Sequence, residues 1–264
     1  MEAILFLVIS FCASAVGAVC GIGGGVIIKP VLDLFGLASV STISFLSGCT
    51  VLAMTCYSVG KNLRSGENLV RFATGTPLAV GAALGGVLGK QLFSIVKAQF
   101  VNQNAVGSVQ AACLALVTVG TFVYTLFKAR IPTHRVQSAP LCLLIGAALG
   151  LMSSFLGIGG GPINLVVLFF FFGMETKTAA QNSLYIILFS QAASLLATLV
   201  TGSVPEFRIP ALVLMVAGGI GGGIVGRVLN KKMDNRAVDK LFICLMAVII
   251  GICVYNACRS FGGI

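Results

Sequence analysis

The chain has 264 residues, 58% of them hydrophobic and 9% charged, with a formal net charge of +10 and a mean hydropathy of +1.06. Soluble domains carry roughly a quarter of their residues as charges, so this composition excludes an ordinary soluble domain and points to an integral membrane protein. Nor is the positive balance a nucleic-acid surface, because no exposed basic domain with interleaved aromatics accompanies it.

The first segment, MEAILFL, has an acid and no Lys or Arg ahead of its apolar run. It lacks the basic start of a cleaved signal peptide, so 3–19 reads as a first membrane helix. The pentapeptide GIGGG follows at 21–25, and Val26 to Gly36 then precede the next break. That stretch spans about 16 Å as a helix, about half of a ~30 Å hydrocarbon core, so it predicts a half-helix. Apolar runs at 40–60, 72–89 and 105–127 predict three further helices. The same order then recurs: a run at 139–156, a second GIGGG at 157–161, a half-helix from Pro162 to Gly173, and runs at 179–200, 209–226 and 241–257. Stretches such as LVVLFFFF at 165–172 do not alternate as barrel strands do, so the spans are helical.

The two GIGGG copies lie 136 residues apart, and Thr42 with Thr178, Ser47 with Ser183, and Ser65-Gly66 with Thr201-Gly202 share that offset. GGVLGK at 85–90 matches GGIVGR at 222–227 at an offset of 137. Matches in one order at one offset indicate an internal duplication, 1–130 and 136–264. If each GIGGG hairpin returns to its own side, twelve basic residues in connections at 61–71, 128–135, 175–177 and 227–240 share one face, and Lys90, Lys97, Arg208 and Arg259 share the other. Single crossings would split them evenly, so the positive-inside rule favours returning hairpins, a cytoplasmic basic face and both termini outside. The expected fold is an all-α polytopic membrane protein of two inverted repeats, each a broken-helix hairpin plus three transmembrane helices, with 8–10 membrane segments in total in a plasma membrane.

Unwound backbone at bilayer depth is tolerated only where protein buries it or a wet cavity meets it. Half-helix N-termini present free N–H groups and partial positive charge, which suits a small anion. Gly21, Gly23, Gly24 and Gly25, with Gly157, Gly159, Gly160 and Gly161, are therefore candidate binding residues, while GGVLGK and GGIVGR read as close-packing seams. Lys29 lies one turn beyond Gly25, where an ionisable group is expensive. It either attracts an anion or pairs with Asp33 at i,i+4, and Leu165 takes its place in the second half. Asn164, Gln181, Asn182 and Ser183, opposite Ser47 and Thr50, add polar groups that serve a substrate or join helices; Asp33 is a possible coupling residue. The nine cysteines contain no CxxC pair and read as small apolar filler, so neither a metal nor another cofactor is expected. His134, the one histidine, sits in the basic connection KARIPTHR.

The duplicated GIGGG, Pro30 in GIGGGVIIKPVL, and the Ser/Thr-rich opening of the next helix resemble the TauE/SafE sulfite exporter family over essentially the whole chain. One departure is that Pro162 directly follows the second glycine run, while no proline matches Pro30. The resemblance implies a secondary transporter exporting sulfite, sulfoacetate or related small anions, with an anion channel or a carrier of another organic anion as alternatives. An intramembrane enzyme is disfavoured because no HExxH or paired intramembrane carboxylates are present. The expected partners are a small anionic substrate and membrane lipids, and nothing in the sequence chooses between monomer and homodimer.

Overall fold

A computed structural model describes residues 2–65, 69–99, 103–156 and 160–262, and these form ten α-helices, one 3-10 turn and no strand. The first half contains α1 (Glu2–Cys20), α2 (Gly25–Phe35), α3 (Val40–Arg64), α4 (Phe72–Gln99) and α5 (Gln103–Phe127). The second contains α6 (Ala139–Leu156), α7 (Gly161–Phe172), α8 (Thr176–Val200), α9 (Ile209–Lys232) and α10 (Asn235–Gly262). Among the described residues, α1, α3, α4, α6, α8, α9 and α10 are long and apolar enough to cross a membrane. The protein is a polytopic helical membrane protein.

Both short helices begin and end on glycine. α2 follows Gly24 and stops at Gly36, and α7 follows Gly160 and stops at Gly173, with all four glycines left-handed. Pro162 lies in the first turn of α7, where its missing N–H costs no helical bond, so α7 starts at the residue matching the start of α2. α1 and α2 begin and end at one end of the molecule: Phe6 and Leu37 line a cleft there with Glu206, and Thr42 Oγ1 donates to the Glu206 carbonyl at 2.9 Å. α7 ends beside the connection preceding α6, where the His134 and Val136 N–H groups donate to the Phe170 and Phe171 carbonyls at 2.7 and 2.9 Å.

The halves interlock. α1 packs along α9, and α6, its counterpart, packs along α4. Glycine makes both seams possible. A Cβ on Gly85 would enter the Ala147 carbonyl, and one on Gly89 would lie 3.0 Å from the Leu151 carbonyl carbon. In the other seam, Gly222 faces the Phe11 carbonyl and Gly226 the Ala15 carbonyl. GGVLGK and GGIVGR are thus the close-packing seams their composition suggests. The structure corrects the placement of the charges. Lys61 and Arg64 lie in the last turn of α3, Lys90 and Lys97 in α4, Lys177 in the first turn of α8, Arg227, Lys231 and Lys232 in α9, and Arg236, Lys240 and Arg259 in α10, rather than in connections.

Candidate functional site

The first glycine run turns the chain sharply at the end of α1. The Gly17 carbonyl accepts the N–H groups of Gly21 and Ile22, both at 2.9 Å, and Gly21, Gly23 and Gly24 hold φ of +79°, +81° and +71°. L side chains rarely adopt that region, and space is also short: a Cβ on Gly21 would lie 2.6 Å from the Ala180 carbonyl oxygen. The two breaks meet. A Cβ on Gly161 would lie 2.5 Å from the Ile22 carbonyl carbon, so the start of α7 rests directly on the backbone of the first break. Neither half-helix N-terminus has a side-chain cap. Beside that of α7, Ser153 and Asn164 are each 2% exposed, and Ser153 Oγ and Asn164 Oδ1 have no hydrogen-bond partner among the described residues.

Each broken helix is capped by the other half. The Val19 carbonyl at the end of α1 accepts from Asn230 Nδ2 at 2.6 Å. At the end of α6, the Phe155 carbonyl accepts from Gln110 Nε2 at 2.8 Å and the Leu156 carbonyl from Lys29 Nζ at 2.9 Å. Lys29 also donates to Gln110 Oε1 at 2.7 Å. The ammonium, 4% exposed, therefore turns across to the negative end of α6 rather than along its own helix to the half-buried Asp33.

Two cavities lie along α3 and α8. The larger, about 430 Å³, opens where α3 and α9 end and α8 begins, and is lined by Ser58, Asn62, Lys177, Gln181, Arg227 and Asn230. Arg227 donates to Asn62 Oδ1 at 2.6 Å and Ser65 Oγ at 3.0 Å, and Lys177 Nζ donates to the Met233 carbonyl at 2.9 Å. The smaller, about 30 Å³, lies at the other end of both helices, lined by Ser44, Lys90, Gln110, Ser154, Gln191 and Thr198. From Ser44 to Asn62 along α3 is about 27 Å at ~1.5 Å per residue. Between the cavities sits an apolar layer, where the α-carbon of Gly23 faces Ile187 and Val51; a Cβ there would meet Ile187 Cδ1 at 3.1 Å and Val51 Cγ1 at 3.3 Å.

The profile of the family described as "Sulfite exporter TauE/SafE" matches residues 6–252. The chain belongs to the TauE/SafE family. It is also 22% identical over 267 residues, covering 95% of this chain and 96% of the relative, to the "Probable membrane transporter protein YunE" of Bacillus subtilis (strain 168). No solved structure matches. This TauE/SafE protein is a membrane transporter, not an enzyme.

Within the TauE/SafE fold the residues singled out from sequence take different places. Gly21, Gly23, Gly24, Gly25, Gly160 and Gly161 gather at the meeting of the breaks, whereas Gly157 and Gly159 lie outside the described residues. Gln181 lines the large cavity and accepts the Leu69 N–H at 3.2 Å. Asn182 is spent on structure: its Oδ1 accepts from the Arg71 N–H, and its Nδ2 donates to the Leu69 and Thr178 carbonyls. Thr50 bonds back to the Leu46 carbonyl at 2.8 Å and packs under Gly219 in the α3–α9 contact. Ser47 and Ser183 are buried, and Ser183 Oγ has no partner among the described residues. Sequence reasoning passed over Asn62, Gln110 and Asn230 and the cavity roles of Lys90 and Arg227. The spacing of Ser44, Thr55, Ser58 and Asn62 marks a polar stripe on one face of α3 and was the available signal.

Proposed function

We propose that this transporter exports a small sulfur oxyanion or organosulfonate, such as sulfite or sulfoacetate, by alternating access, binding it between the N-termini of α2 and α7. The observation that carries this reading is the contact of the two breaks, Gly161 on Ile22, which brings uncapped helix starts from both halves to one buried place. The unpaired Ser153 Oγ and Asn164 Oδ1 beside α7 add polar groups there.

The halves, 1–130 and 136–264, act as inverted repeats. Support comes from α3 and α8, matched helices that run in opposite directions between the same two cavities. The basic end, which carries Lys177, Arg227 and Lys231, faces the cytoplasm of the cell and both termini lie outside, in keeping with the positive-inside rule. A monoanion leaving an inside-negative cell gains about 2.3 kcal/mol per 100 mV, so uniport suffices.

The reading is tested in proteoliposomes. Sulfite or sulfoacetate flux is expected to saturate and to show counterflow, and Gly24→Leu is expected to abolish the thermal shift that these anions produce in the purified protein. Non-saturating flux without counterflow favours the channel instead, and equal binding by the variant removes the anion from the breaks.

The apolar layer gives a second test. Ile187→Ala removes the side chain that faces Gly23 and is expected to raise passive anion leak while weakening counterflow, measured as dissipation of an imposed anion gradient. An unchanged leak means that the barrier lies elsewhere.

A further inference from the structure

The two cavities along α3 and α8 are built from matched residues. Ser44, Phe45 and Gly48 of the small cavity correspond, at the 136-residue offset, to Ala180, Gln181 and Leu184 of the large one. Ser154 corresponds in the same way to Ala18, Ser194 to Ser58 and Thr198 to Asn62. At the 137-residue offset of the glycine seams, Lys90 and Phe93 correspond to Arg227 and Asn230. Eight of the eleven residues lining the small cavity thus have counterparts lining the large one, yet their volumes are about 30 and 430 Å³. Walls at matched positions, with Lys90 in the place of Arg227, Ser194 in that of Ser58 and Thr198 in that of Asn62, enclose an open space at one end of the molecule and a collapsed one at the other.

We propose that the small cavity is a second anion vestibule, closed in this conformation, in which Lys90 takes the part that Arg227 takes at the basic end. The inference rests on the alternating-access reading and adds to it the residues that meet the anion as it leaves. The class of ligand follows from the walls. The open vestibule offers a guanidinium and two ammonium groups beside the amides of Gln181 and Asn230. The closed one offers the Lys90 ammonium with Gln110, Gln191, Ser194 and Thr198. Cations among neutral hydrogen-bonding groups suit a small hydrated anion rather than a cation or an apolar solute.

Two details mark the closed vestibule as a space that opens. Ser44 and Ser154 line it, and the Oγ atoms of both are buried without a hydrogen-bond partner among the described residues. A buried hydroxyl left unpaired is costly, and admitting water or an anion removes that cost. Gly48 and Gly86 also let the wall close tightly: a Cβ on Gly48 would meet Gln191 Oε1 at 3.2 Å, and one on Gly86 the Ser190 carbonyl at 3.0 Å. When the Lys90 end opens, the Arg227 end closes, so that each half takes up the packing its partner now has.

The matched serines provide the test. Ser58→Cys and Ser194→Cys are conservative changes, and vesicles of both orientations are treated with a membrane-impermeant thiol reagent, the wild type giving the background of its native thiols. Ser58→Cys is expected to label only from the basic end. Ser194→Cys is expected to label only from the opposite end, slowly at rest and several-fold faster when sulfoacetate on that side draws the protein through its cycle. Absence of Ser194→Cys labelling from the opposite end, or labelling from the basic end, overturns the proposal.

Side-specific kinetics give an independent readout. Arg227→Gln is expected to raise the half-saturating sulfoacetate concentration about tenfold for anion offered at the basic end, and Lys90→Gln to do so only at the other. Lys90→Arg is expected to restore the wild-type value. A Lys90→Gln effect that is absent or equal at both ends refutes the role of Lys90. If neither sulfite nor sulfoacetate is transported, the substrate reading fails, while substrate-free labelling of Ser194→Cys from the opposite end still decides whether the vestibule opens.

Discussion

Replacing Gly161 with alanine is expected to stop transport and to destabilise the protein, although Gly161 has an ordinary helical backbone. The position is outside the positive-φ set, so conformational strain plays no part. The new methyl group would instead enter the Ile22 backbone, 2.5 Å from its carbonyl carbon, and the two breaks would have to separate. Overpacking of this kind costs about 1–3 kcal/mol, and the separation breaks the backbone contact that joins the two helix starts. Gly36→Ala is the matching control. It has open space around it but a φ of +61°, so it is expected to cost about 1–2 kcal/mol without loss of transport. Thermal unfolding and flux measured together separate the two effects. Wild-type flux through Gly161→Ala would show that transport does not depend on close contact between the breaks.

Lys29→Met is expected to have the second largest effect. The change keeps the length of the side chain but withdraws the donor from the Leu156 carbonyl and from Gln110 Oε1. Each buried acceptor left alone costs about 1–3 kcal/mol, and the end of α6 loses the charge that offsets its dipole. Both thermal midpoint and flux should fall. Lys29→Gln retains an N–H donor without the charge and is expected to recover most of the midpoint. If the ammonium also draws in the anion, the half-saturating concentration in Lys29→Gln stays about tenfold high, the loss of one charge-assisted contact. Full recovery of both quantities assigns Lys29 to structure alone.

The sequence carried the helices well because their cause is local. Long apolar runs bounded by glycine, proline or charge can span a bilayer only as helices, and the half-helices were visible because Gly36 and Gly173 stop them after about 16 Å. The seams were legible for a similar reason: glycines three and four apart face one neighbour. What escaped was what the other half supplies. Nothing beside Lys29 in the chain distinguishes its partners, Gln110 and Leu156 at 81 and 127 residues' distance, from Asp33 at four. Asn182 looked available because polar groups in an apolar run are conspicuous, but the backbone at 69–71 consumes it. Arg227 and Lys90 were grouped with headgroup charges because sequence gives no measure of how far a helix extends past its apolar core.

The crossed capping of α1 and α6 bears on how the protein is made. The end of α1 waits for Asn230, which is synthesised 211 residues after the Val19 carbonyl it satisfies, while α6 finds Lys29 and Gln110 already in place. The first half therefore enters the membrane with an open end that Asn230 of α9 closes. Assembly is consequently ordered: the second break is completed as it emerges, the first when α9 docks along α1, and a chain truncated before α9 lacks the Asn230 donor to the Val19 carbonyl.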